Sequence, residues 1–258
     1  MAAFHYNQTL LNNACRLGCQ CRLGATNNIM GYAENLLDTP YPFDAPKSQH
    51  LLSTALVTVP QEVKCRTILD YRGGGGAFSR QLSVKYPSAM IFCYEPLLVQ
   101  RMEARHALSG IDNIELISKI KLMPKESIDV IFCLEVLEHY LTSETLVALE
   151  LIKTILKPQG LLVISIPIEV GLTAVRKGYV RRTNRPGEWD TDLFRILGAL
   201  LGLPPRIRPV SRVGDSFPFH LHDFGFDYRK FIKQIEREFR VVDRAYYPLG
   251  KWGGVNEL

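Results

Sequence analysis

The sequence predicts an α/β domain built on a doubly wound, mostly parallel sheet. Short β-rich runs alternate with amphipathic stretches between residues 67 and 160. The first of these runs enters a turn of four glycines, Gly73-Gly74-Gly75-Gly76, and leaves it as a helix. The run over 161–166 is apolar save for Ser165, the pattern of a strand covered on both faces.

The elements follow in order. Residues 67–70 read as the first strand, and 77–86 as a helix whose Phe78, Leu82 and Tyr86 recur at i, i+4 spacing. Residues 90–94 form a second strand and 97–108 a second helix, with further strands over 113–117 and 128–134. A helix over 144–156 ends where Lys157-Pro158-Gln159-Gly160 blocks its continuation, and 161–166 is the fifth strand. Beyond it, 167–219 is long for a βα connection. A helix over 228–238, a strand over 239–246 and a short run over 254–258 complete the chain. Residues 1–65, with Pro40, Pro42 and Pro46, read as an N-terminal cap of one or two short helices and a turn-rich linker. The remaining domain, 66–258, carries an inserted lid over 168–219.

Composition narrows the class. Of 258 residues, 47% are hydrophobic and 22% charged, which excludes a disordered, collagen-like or coiled-coil chain. No apolar run approaches the roughly 18 residues of a spanning helix, and no secretory pattern opens the sequence. Six cysteines are too few for a disulfide scaffold, and Cys15, Cys19 and Cys21 match no zinc or iron–sulfur spacing. Reduced thiols and a cytoplasmic setting are expected.

The net charge of +5 is unevenly placed. Between Gly171 and Arg212 nine basic residues face three acidic ones, a net +6 that leaves −1 for the rest. The basicity belongs to the insertion.

In a parallel sheet of this kind, ligands lie at the carboxyl ends of the strands. Asp70-Tyr71-Arg72-Gly73-Gly74-Gly75-Gly76 stands at the first such end. Glycines there allow positive φ and close approach of a ligand, and the helix amides beyond attract a carboxylate or phosphate. Glu95, nineteen residues after Gly76, ends the second strand where it can bridge two ribose hydroxyls. This arrangement suits a dinucleotide or S-adenosylmethionine, and Gly74-x-Gly76-x-x-Ser79 only approximates the dinucleotide fingerprint.

Asp70, Gly74 and Gly76 fall on D-x-G-x-G-x-G, so the loop resembles motif I of class I S-adenosylmethionine-dependent methyltransferases, which have a Rossmann-like fold. Arg72 occupies the first glycine position of that motif. Residues 127–139, ending Leu134-Glu135-Val136-Leu137-Glu138-His139, resemble the family's fourth motif, and 156–167 its fifth-strand segment. The likeness returns weakly over 220–248. It implies that Asp70, Gly73, Gly74 and Gly76 hold the methionine end of the cofactor, Glu95 the ribose, and that Leu134 helps to keep the cofactor in place. The family often has an acidic residue after the third strand for the adenine amine; Ser118 and Lys119 stand there instead.

Glu135-x-x-Glu138-His139, read at the start of a helix, brings two carboxylates and an imidazole to one side. Such a set suits Mg²⁺, Mn²⁺ or Zn²⁺. The spacing is similar to that of ubiquinone-biosynthesis O-methyltransferases and of small-RNA 3′-end 2′-O-methyltransferases, which implies a divalent cation. His222, in the segment His220-Leu221-His222-Asp223 after the insertion, is a candidate fourth ligand or general base. His139 and His222 are thus the candidate catalytic residues. The insertion also resembles that of bacterial glycan-pathway methyltransferases, and its 193–203 stretch reads as a lid helix or a membrane-surface patch.

The expectation is methyl transfer to an oxygen of a small or anionic, phosphate-bearing acceptor, with no nucleic-acid partner and at most peripheral membrane contact. The rival readings are an RNA 2′-O-methyltransferase, which lacks an appended RNA-binding module here, and a non-catalytic cofactor-binding or scaffold protein. Neither the acceptor's identity nor the oligomeric state is encoded in these motifs.

Overall fold

The computed structural model describes residues 2–6, 46–211 and 218–245. Its strands are β1 (Ala2–Tyr6), β2 (Thr67–Tyr71), β3 (Met90–Tyr94), β4 (Ile114–Ile117), β5 (Ile128–Leu134), β6 (Leu156–Ser165), β7 (Val210–Ser211), β8 (Phe219–His220) and β9 (Phe239–Arg244). The helices are α1 (Pro46–Thr58), α2 (Ala77–Lys85), α3 (Leu98–Ala107), α4 (Thr142–Ile155), α5 (Leu172–Asn184), α6 (Leu193–Leu200) and α7 (Tyr228–Ile235). Seven strands form one sheet in the order β4-β3-β2-β5-β6-β1-β9, and β7 pairs with β8 apart from it. β2 to β6 run parallel, so the expected doubly wound fold is present.

Alternation along the strands divides the core into two faces. Ile68, Ile91, Val130, Phe132, Leu161 and Val163 point to the side covered by Leu52 and Ala55 of α1 and Phe78 and Leu82 of α2. Leu69, Ile131, Cys133, Leu162 and Ile164 point the other way, onto Leu149 and Ile152 of α4 and Phe231 and Ile235 of α7. Phe78 meets Phe132 edge to face with ring centroids 5.1 Å apart. Apolar side chains on both faces explain why β5 and β6 lack polar alternation.

Two expectations need correction. The first concerns residues 1–65, expected as a cap. Ala2–Tyr6 instead forms a strand between β6 and β9, antiparallel to both, and α1 packs against the sheet. A strand fits there because β6 and β9 otherwise present unpaired backbone to each other. Residues 7–45 of the expected cap, with Cys15, Cys19 and Cys21, lie outside the described residues, as does the 254–258 run. The second concerns Lys157-Pro158-Gln159-Gly160, which ends the helix as expected but belongs to β6. The register moves from Ile128↔Leu156 to Val130↔Leu161, so these residues bulge outward, and Lys157 Nζ reaches Asp129 Oδ1 at 2.6 Å.

The insertion is a helical hairpin. α5 and α6 pack through Ala174 and Gly178 against Ile196 and Ala199, where a Cβ on Gly178 would lie 2.6 Å from Ile196. Its charges largely satisfy one another. Glu169, fully buried, pairs with Lys177 at 2.7 Å and with Arg181; Asp190 accepts from Arg185 at 2.9 Å, and Arg195 lies over Trp189. Lys177, Arg181 and Arg185 are thus ion-paired, whereas Arg176, Arg182 and Arg206 stay exposed. Among the described residues, no helix is long and apolar enough to cross a membrane.

Candidate active site

The registers Asp70↔Cys93, Tyr71↔Tyr94 and Leu134↔Ser165 bring the carboxyl ends of β2, β3, β5 and β6 to one edge. The chain turns there under tight steric control. Gly73 donates its N–H to Tyr94 O at 3.0 Å, and Gly76 donates to Gly73 O at 2.9 Å. Gly74 and Gly76 take φ of +55° and +84°, where a side chain is strained. Gly73 has no room for one: a Cβ would lie 2.7 Å from both Asp70 Oδ2 and Cys93 Sγ. The loop's glycines thus serve two different needs.

Asp70 is buried beneath this loop and accepts the Ser79 hydroxyl at 2.6 Å, tying the strand end to the start of α2. Burial pushes its carboxyl up to about 6, against the opposing pull of the Ser79 hydrogen bond and with a smaller push from Glu95. Asp70 shapes the loop from below. Glu95 is also buried; its Oε2 accepts Gly74 N–H at 3.1 Å and its Oε1 accepts Leu97 N–H at 2.8 Å. Leu134 stands half-buried at the end of β5 and packs against the α1/α2 side of the core.

Arg72 takes φ of +65°, the left-handed conformation natural to the glycine it replaces. Its Nε donates to Tyr140 Oη at 2.9 Å, and Nη1 lies 3.9 Å from Glu95 Oε1. The guanidinium therefore spans the mouth between the glycine loop and the turn after β5. Lys119, the other departure from the motif, is exposed after β4.

The Glu135-x-x-Glu138-His139 segment does not start an α-helix. Leu137–His139 is a 3₁₀ turn, and Glu135 precedes it with φ of +53°. Glu135 accepts the Ser165 hydroxyl, while its backbone N–H reaches Ser165 O at 3.2 Å. Glu138 is fully buried, and neither of its carboxylate oxygens has a hydrogen-bond partner. Burial pushes it well above the usual carboxylate range, with Glu135 and Asp223 adding to the effect.

His139 Nδ1 lies 2.9 Å from the carbonyl of His220, which makes Nδ1 the donor, so that in the neutral imidazole the lone pair is on Nε2. That Nε2 faces Asp223 Oδ1 at 3.5 Å and Glu138 Oε1 at 3.9 Å. Glu138, His139 and Asp223 thus converge on one point.

His222 does not join them. It stands 3.4 Å from Asp190 Oδ2 and stacks on Trp189, inside the hairpin's ion network. Glu188 and Asp190 are near it too, but Arg181 and Arg185 already occupy that cluster as its cations. The backbone decides which neighbour enters the site. Arg208 donates to Glu138 O at 2.8 Å and to His222 O, holding the 220–223 segment so that Asp223 faces His139. Burial lowers Arg208 to about 10. Asp223 and Arg208 are the residues sequence reasoning did not place; an acidic neighbour beside two histidines was the available signal for the first.

A family model described as "Methyltransferase domain" matches residues 41–190, more than half of the chain. The chain belongs to this methyltransferase family. The match takes in the glycine loop, Glu95 and the Glu138 turn, and bears out the expected class I S-adenosylmethionine-dependent methyltransferase and its enzymatic nature. No curated protein matches this methyltransferase. Solved structures do. An N-methyltransferase from Bradyrhizobium japonicum, in complex with S-adenosylhomocysteine, is 20% identical over 57% of this chain and 76% of its own, with a TM-score of 0.47. A SAM-dependent methyltransferase from Aquifex aeolicus is 21% identical over 53% and 72%, TM-score 0.41. A protein from Bacillus subtilis is 19% identical over 53% of this methyltransferase, which spans 58% of that protein's length, TM-score 0.40.

Proposed function

We propose that this methyltransferase methylates an oxygen of a small or anionic acceptor, with a divalent cation held by Glu138, His139 and Asp223. The observation that carries this reading is Glu138. A fully buried carboxylate whose two oxygens lack partners is costly unless something cationic meets it. The imidazole beside it presents a free lone pair because His220 O fixes the tautomer, and a second carboxylate completes a donor set suited to Mg²⁺, Mn²⁺ or Zn²⁺. The residues present fit such an ion. When bound, it would lower the pKa of an acceptor hydroxyl and orient it.

The chain's own residues supply the rest. The Gly73, Gly74 and Gly76 loop, braced by Asp70, leaves backbone amides at the start of α2 for the methionine end of S-adenosylmethionine. Glu95 is pre-aligned by two backbone amides, and each of its oxygens retains a lone pair for a ribose hydroxyl. Leu134 offers an apolar contact beside it. S-adenosylmethionine carries its methyl on a sulfonium, so the protein's part in the transfer is alignment and exclusion of water.

Titration calorimetry with Mn²⁺ tests the cation. Binding is expected for the wild type and lost in Glu138→Gln. Absence of binding, together with activity unchanged by EDTA, would overturn the cation. For the cofactor, Glu95→Ala should weaken S-adenosylhomocysteine binding strongly; unchanged binding would overturn that assignment.

A further inference from the structure

The hairpin carries an outward surface that neither the cofactor loop nor the Glu138 site uses. Of 21 exposed large hydrophobic side chains among the described residues, 11 lie between Leu172 and Val210. On α6, Leu193, Phe194, Leu197 and the following Leu201 recur at one helical face, opposite the buried Ile196 and Ala199. On α5, Leu172, Val175 and Tyr179 recur at i, i+3, i+7, opposite Ala174 and Gly178. Phe194 and Ile207 are each 85% exposed, a heavy apolar load for a solvated surface.

The charge on this surface is of one sign. Its exposed charged residues are Arg176, Arg182 and Arg206. The hairpin's acidic side chains are each engaged: Asp190 is buried, half-buried Glu188 pairs with Arg185 at 2.8 Å, and half-buried Asp192 caps α6 through Arg195 N–H at 2.9 Å. Exposed apolar side chains whose fully exposed charged companions are all arginines match an anionic lipid surface, where apolar side chains enter the acyl boundary and guanidinium groups meet headgroup phosphates.

We propose that the α5–α6 hairpin docks this methyltransferase on an anionic bilayer, in the plane of the surface. The hairpin follows directly from β6, whose end forms the site, and Arg208 links it to Glu138. A docked hairpin would thus hold the site's mouth near the membrane, within reach of an acceptor anchored there. The docking itself does not depend on the cation or on which atom is methylated.

Flotation of the full chain with vesicles tests this. Vesicles of phosphatidylcholine mixed with phosphatidylglycerol should carry the protein, phosphatidylcholine alone should carry it about tenfold less, and added salt should release it. The double substitution Phe194→Asp, Leu197→Asp, at two exposed positions, should abolish flotation while leaving the thermal unfolding temperature unchanged. Arg176→Glu with Arg206→Glu should remove the salt-sensitive part. Absence of flotation on either vesicle, or flotation that survives the Asp substitutions, would overturn the proposal. So would a dimer in light scattering that these substitutions dissociate, since the face would then be a seam between two copies. Salt-sensitive RNA binding without vesicle binding would overturn it as well.

Discussion

His139 Nδ1 rests 2.9 Å from the carbonyl of His220, and Asp223 faces the same ring's Nε2 at 3.5 Å. One short segment therefore both sets the tautomer of the imidazole and supplies the acid beside it. In the proposed cation site the ligand role falls to Asp223 and not to His222. Asp223→Asn should weaken Mn²⁺ binding by roughly 10- to 100-fold, whereas His222→Asn should leave it near wild type. Calorimetry on the two variants decides between them.

Arg72 suggests a second experiment. It holds a glycine-like backbone conformation, and its guanidinium lies between Tyr140 and Glu95. Arg72→Gly should relieve the backbone strain and open Glu95, raising affinity for S-adenosylhomocysteine several-fold. A weaker complex would mean that the guanidinium itself contacts the cofactor.

Gly73 allows a stability test. With two side chains 2.7 Å from the position of a Cβ, Gly73→Ala should cost about 1–3 kcal/mol of unfolding free energy in urea. It should also reduce cofactor binding, since Asp70 must shift.

Asp70 makes stability pH-dependent. Burial raises its carboxyl from an ordinary 3.8 to about 6, so the folded protein keeps a proton that the unfolded chain gives up. The favourable contribution is complete below pH 3.8 and is lost as pH rises to about 6. The loss is about 3 kcal/mol. Asp70→Asn, which cannot titrate, should flatten the slope of unfolding free energy against pH across that window.

Glu169 anchors the hairpin. Glu169→Ala would take the buried partner from Lys177 and leave Arg181 only Asp190 at 3.6 Å, at a cost of about 3 kcal/mol. Hydrogen exchange should show amides of α5 and α6 opening while those of β2 and β5 stay protected.

Legibility in the sequence tracked how local each decision is. Met90–Tyr94 and Ile128–Leu134 were readable as strands because apolar runs bounded by turn residues need no distant information. The glycine loop was readable because a backbone that tight admits few residues. β1 was not: Ala-Ala-Phe-His-Tyr has no periodicity, and only its distant partners make it a strand. The choice of Asp223 over His222 was equally hidden. It depends on Arg208 holding two carbonyls that belong to separate parts of the chain. The charge count that began at Gly171 left out Glu169, two residues earlier in sequence, which pairs with Lys177 and Arg181 in space.

The position of β1 bears on how the molecule comes together. Ala2 pairs with Ile164 on one side and Arg244 on the other. During synthesis the first strand therefore waits for β6 before it finds a partner, and β9 has no neighbour in the sheet until β1 is seated. Such non-local pairing slows that step of folding. The five parallel strands that form the site can pair before that step, so a nascent chain can shape its cofactor loop while one edge of its sheet is still open.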